Sequence, residues 1–185
     1  MKKLMLLLVL AISLATQAYA APRYSYSAEE SRALLAQLAG HVMVINSDLT
    51  LRKKQPAKEF DLLAYYPLSK DKVDEYKRSG QLREKKDDIA NFVSYRIKDY
   101  QLSNEKNEAL KLVDDTDSGP MESFALWTYD DVLSGQLGVY VKLDKAFERV
   151  KGHMTLVLEL PGKVTREVRV PVELSIKDED PRPGI

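Results

Sequence analysis

The chain has 185 residues, with 28 basic and 28 acidic side chains, ten tyrosines, two histidines and no cysteine. Without cysteine there can be no disulfide, thiol nucleophile, thioether-linked haem, cysteine-ligated zinc or iron–sulfur site, or lipid-modified cysteine. The even charge balance gives no general attraction to nucleic acid or to anionic lipid.

Lys2 and Lys3 form a positive n-region, Leu4 to Ala15 is almost unbroken apolar sequence, and Ala18-Tyr19-Ala20 supplies a small-x-small pattern. Residues 1–20 therefore read as a secretory signal peptide cleaved near Ala20–Ala21. The apolar run is shorter than the roughly 20 residues that span a bilayer, and no later segment approaches that length. The expected location is the periplasm, or beyond it by secretion, with no membrane span after cleavage. Removing residues 1–20, which hold two lysines and no acid, leaves 165 residues with 26 basic and 28 acidic groups, a formal charge of −2. That length suits one globular domain, expected over 21–180, with 181–185 as a flexible tail.

Residues 22–27 read as a polar lead-in. Ser27 is placed to N-cap a helix whose first turn holds Glu29 and Glu30; Ala33, Leu34, Leu35, Leu38 and Ala39 make its apolar stripe, and Gly40 its stop. From His41 the pattern turns to strand: Val42 and Val44, then Leu49 and Leu51, with a break at Asn46-Ser47-Asp48. A further strand is expected from Phe60 to Tyr66, ending at Pro67, and a short helix from Ser69 to Arg78, ending at Gly80. Residues 90–102 fit both periods. Ile89, Phe92, Val93, Ile97 and Tyr100 make a helical stripe, whereas Val93, Tyr95 and Ile97 alternate as in a strand. The strand-like composition favours a polar helical turn over 82–89 and then a strand to about Leu102.

The last third alternates cleanly. Leu137, Val139, Val141 and Leu143 form one run; Met154, Leu156, Leu158 and Leu160 a second; Val164 to Ile176 a third. Pro161-Gly162 between the last two runs is a turn sequence, because proline presets one central position and glycine accepts positive φ at the next. Pro171 cannot donate to a ladder, which places its strand at an edge or at a bulge. The expected fold class is thus α+β and β-rich, an antiparallel β-meander or sandwich-like sheet (the meander over about 122–177) with an N-terminal helix and one or two short additional helices.

The chemistry is mostly negative. His41 and His153 are too few and too far apart for a histidine zinc motif, and no nucleophile elbow, P-loop or G-x-G-x-x-G run occurs. Asp114 to Gly119 places glycine at the sixth position of a calcium loop but Ala125 at the twelfth, where a glutamate is needed. Asp117-Ser118-Gly119 matches an aspartic protease triplet without the second copy that such enzymes require. A solvated turn is the expectation there. No catalytic, cofactor-binding or metal residue is assigned, and no cofactor is expected.

Surface aromatics remain. Tyr65 and Tyr66 adjoin Pro67, Trp127 and Tyr129 precede two aspartates, and Pro171 marks an edge strand. These five residues are the candidate partner surface. The reading is an exported, non-catalytic binding or accessory protein with an envelope protein partner and no nucleic acid. A periplasmic inhibitor or immunity protein is one alternative, and a carboxylate-dependent envelope hydrolase another.

Overall fold

The computed structural model describes residues 23–47, 55–82, 86–113, 116–129 and 132–178. The expected signal peptide 1–20, Leu49, Leu51, Asp114, Asp115 and the expected tail 181–185 lie outside the described residues.

Helix α1 (Ala28–Gly40) begins where the local chemistry directs it. The Ser27 side chain accepts from the Glu30 backbone N–H, and the Glu30 carboxylate accepts from the Ser27 N–H at 2.8 Å. This reciprocal capping box satisfies two otherwise orphaned donors. Leu34, Leu35 and Leu38 form its buried stripe. The segment before it is less passive than a polar lead-in. Tyr24 packs edge-on against Phe92 at 5.1 Å, and the Tyr26 hydroxyl donates to the Asp87 carbonyl at 2.8 Å.

Among the described residues nine strands follow, interrupted by α2 (Lys70–Ser79) and a 3-10 turn (Ile89–Phe92). One antiparallel sheet has the order β1 (Val42–Asn46), β2 (Ala57–Pro67), β7 (Val132–Phe147), β6 (Glu122–Tyr129). The other has the order β4 (Ala109–Leu110), β3 (Ser94–Asn104), β8 (Arg149–Leu160), β9 (Val164–Ser175). β5 (Ser118–Pro120) joins the same side of β3 as β4. The fold is α+β and dominated by antiparallel sheet, as expected.

The alternating runs of the C-terminal third are divided between the sheets. β6 and β7 pair in one, β8 and β9 in the other, and the chain changes sheet across Glu148 alone. The switch leaves backbone donors without a ladder, and Glu105 takes them. Its Oε2 accepts from the N–H groups of Glu148 at 3.0 Å and Arg149 at 3.3 Å. Strands of the first half interleave with this unit, β2 on β7 and β3 on β8.

Between the sheets lies one hydrophobic cluster that includes Leu35, Phe60, Leu62, Val139, Phe147, Met154, Leu156 and Val172. Phe60 and Phe147 meet edge-to-face at 6.3 Å. Each fully buried side chain of this size contributes about 1.5–3 kcal/mol. α1 packs against β9 and β2, and Asn46 Nδ2 donates to the Ser175 carbonyl at 2.8 Å, tying the end of β1 to the end of β9.

The strand expected to about Leu102 is found at Ser94–Asn104, preceded by the 3-10 turn. Two expectations change. The stretch after Asp115 is in part strand: Ser118–Pro120 pairs with Ser94–Arg96, with Thr116 buried and Asp117, Ser118 and Pro120 exposed. β8 starts at Arg149, before the alternating run that begins at Met154, so His153 lies within the strand. Pro171 is on an edge strand, and the register from Arg149↔Ser175 to Leu160↔Val164 runs past it without a bulge.

Candidate functional site

Consecutive strand residues face opposite sides, and Tyr65 and Tyr66 show it. Tyr66 turns inward and packs on the core. Its ring lies over Gly135 of β7, where an added Cβ would stand 2.7 Å from Cζ and from the hydroxyl oxygen. Burial pushes the Tyr66 phenol above its ordinary value. Tyr65 turns outward and sets its ring 4.7 Å from that of His41.

The pairing Pro67↔Ser134↔Trp127 runs across three strands, and Tyr66↔Gly135↔Leu126 runs beside it. The two aromatic pairs of the sequence, over 60 residues apart, thus come to one end of the four-stranded sheet, with Tyr129 paired to Val132 just beyond. Pro171 is not part of this group. It belongs to the other sheet, beside His153, whose remaining cross-strand neighbour is Gln101.

The outer faces of the two sheets differ in chemistry. On the five-stranded sheet, Arg96, Val157 and Glu167 form one row and Asp99, Thr155 and Arg169 the next. Thr155 Oγ1 donates to Asp99 at 2.9 Å, and Lys98 pairs with Glu167 at 2.8 Å. Arg96, Asp99, Glu167 and Arg169 are exposed charges on this face, and Val157 and Thr155 between them are buried. On the four-stranded sheet the rows are Ile45–Asp61–Tyr140 and Met43–Leu63–Gly138. Phe124 folds across Gly138, so that an added Cβ would meet its ring at 2.1 Å and Leu63 at 2.8 Å. The Phe124 and Tyr140 rings lie 5.4 Å apart, and Tyr140 is 43% exposed. Ile45, Asp61 and Leu63 are buried although they lie on the face away from the core. Sequence reading missed Phe124 and Tyr140. The signals were Leu62-Leu63-Ala64, apolar on both faces, and the glycine at 138 in an alternating strand.

Two clefts gather polar groups. One, of about 490 Å³, lies between α1, the end of β2 and the segment 87–89; its polar lining includes Glu30, Tyr66, Lys72, Asp87 and Asp88. Here Lys72 is ion-paired with Asp88, which also accepts from the Ala90 N–H at 3.2 Å. The other, of about 810 Å³, lies along β3 and includes Asp99 and Asp117 in its lining. Asp99 is bound by Thr155, and Asp117 accepts from the Ser118 hydroxyl at 3.2 Å. Among the described residues no group of three or more acidic, histidine or cysteine side chains is placed to hold a metal ion. Nor, among them, is any helix long and apolar enough to cross a membrane.

No protein-family model matches the chain, and no curated protein matches it. Among solved structures it is similar to the crystal structure of a DUF4426 family protein from Pseudomonas aeruginosa PAO1, at 12% identity and a TM-score of 0.31, covering 75% of this chain and 90% of that one.

Proposed function

We propose that this is an exported, non-catalytic binding or accessory protein of the periplasm or secreted space, and that it acts on an envelope protein through the outer face of its four-stranded sheet. The observation that carries the reading is the contrast between the sheets. One outer face carries exposed charges of both signs; the other holds Phe124 over Gly138 with Tyr140 beside it, and Tyr65 at the same end as the Trp127 segment. Aromatic side chains are enriched where proteins meet, because they bury large area at small entropic cost. The signal-like residues 1–20 support export. An inhibitor or immunity protein, which would lay this face over a toxin or hydrolase, is a narrower form of the same reading.

A photo-crosslinking residue at Tyr140, compared with one at Glu167 on the charged face, tests it in the producing cells. A discrete adduct from position 140 and none from 167 is expected. Matching adducts from both positions, or none from either, would remove the support. N-terminal sequencing of the exported product should begin at Ala21.

One observation favours a second reading, a carboxylate-dependent hydrolase: Asp99 and Asp117 line the same cleft. Glycan hydrolysis requires two carboxyl groups across the scissile bond. If that reading holds, Asp99→Asn and Asp117→Asn would each abolish turnover of an envelope glycan, while the Tyr140 adduct would be unchanged.

A further inference from the structure

We infer that the groove beside α1 docks a basic segment of the partner, one lysine or arginine flanked by apolar residues. This rests on the binding reading above and names the chemistry of its occupant. The groove floor is apolar, made by Ala33 and Leu34 of α1 with Pro67, Leu68 and Ile89. Tyr26 and Tyr66 also line it. At about 490 Å³ it falls within the roughly 300–1,000 Å³ of ordinary ligand pockets and can take an extended side chain with its neighbours.

The choice of a cation follows from charge. Among the described residues, three carboxylates, Glu30, Asp87 and Asp88, line the groove with one cation, Lys72, which is held by Asp88. The Glu30 carboxylate accepts from the Ser27 N–H and from the Ser27 hydroxyl on Oε2. Asp87 gives its backbone carbonyl, not its carboxylate, to Tyr26. Among the described lining residues carboxylates therefore outnumber cations, next to aromatic rings whose faces also attract cations. The choice of a protein segment follows from continuity. Tyr66 opens onto the groove while Tyr65, one residue earlier on β2, belongs to the outer face, so a partner reaching around this end of the sheet meets both.

The test is an amide NMR titration of the chain from Ala21 with acetyl-Leu-Arg-Leu-amide, with the same peptide carrying neutral citrulline, and with acetyl-Leu-Glu-Leu-amide. Saturable shifts are expected at Ala33, Gln37, Ser69 and Ile89 with the arginine peptide, with at least tenfold weaker binding of the other two. The double change Glu30→Gln and Asp87→Asn should weaken the arginine peptide by a similar factor. Glutamine also serves at this position of a capping box, so the helix start is preserved. If that variant unfolds, Gln37→Lys, which places a cation in the groove, should weaken binding instead. Equal affinity for the citrulline peptide, shifts that never saturate, or shifts centred on the five-stranded sheet would each overturn the inference. A retained Tyr140 adduct without peptide binding would overturn it alone; loss of both would overturn the binding reading as well.

Discussion

The ring of Tyr66 fills the space that a side chain at Gly135 would need, with its Cζ and hydroxyl oxygen 2.7 Å from where a Cβ would stand. The two residues are register partners on β2 and β7, so the glycine is what lets the tyrosine lie down between sheet and groove. Gly135→Ala should lower unfolding free energy by about 1–3 kcal/mol, the ordinary cost of overpacking, read from the urea midpoint. In a Tyr66→Leu background the same change should cost much less. Equal costs in both backgrounds would show that the tyrosine is not the obstacle.

Glu105 gives a pH dependence of defined sign. Backbone hydrogen bonds, including those from Glu148 and Arg149, hold its carboxyl below the ordinary glutamate value of 4.5. A lowered folded value means that the charged form favours the fold. Its contribution is complete above about pH 4.5 and is lost as pH falls through the folded value. Glu105→Gln should therefore be less stable than the parent at pH 7, and the gap should narrow as pH falls below about 4.5. A gap that stays constant from pH 7 to 3 would mean that the carboxylate charge does not secure the sheet switch.

Where local chemistry decides, the sequence was readable. Ser27 and Glu30 start α1, and Pro161-Gly162 turns β8 into β9, with Gly162 at φ 85° and Lys163 also positive. Where register decides, it was not. The ambiguity of residues 90–102 has one cause, the register shift between Ile97↔Leu156 and Asp99↔Thr155. Lys98 is an extra residue there, so core positions fall at 95 and 97 and then at 100 and 102. The step from 97 to 100 imitates a helical period. The candidate site shows the same limit. Tyr65, Tyr66 and Trp127 were visible as aromatics near turns, but their placement at one end of one sheet needs β2 and β6 to pair with β7 across a long stretch of chain. Phe124 over Gly138 likewise follows only from cross-strand placement.

The bulge makes a prediction that runs against intuition. Deleting Lys98 leaves every other residue of β3 opposite its present partner, because only the extra residue is removed. The deletion variant should fold cooperatively, losing the exposed ion pair to Glu167. Deleting Gln101 should not be tolerated. Either Leu102 and Asn104, both buried, move to the solvent face, or Tyr100 moves out and Asp99 moves in. Circular dichroism melts of the two variants decide it. Loss of cooperative unfolding in the Lys98 deletion would mean that the bulge itself is required.

Gly152 explains why β8 begins earlier than its alternation suggests, and it supplies the sharpest test of the backbone. It sits inside the strand between Leu102 and Val172 with φ 144°, a conformation L side chains rarely adopt. An added Cβ would fall 1.8 Å from the Gln101 carbonyl oxygen, a backbone atom held in the adjoining strand. Gly152→Ala should cost about 2–4 kcal/mol, combining backbone strain with a clash that no rotamer change relieves. Gly162→Ala, at positive φ but in open space, should cost only about 1–2 kcal/mol. Gly40→Ala, at the end of α1 with nothing within 4 Å, should be neutral or slightly stabilising. Urea unfolding of the three variants should give that order. If Gly152→Ala matched Gly162→Ala, β8 would have to approach β3 less closely at this point.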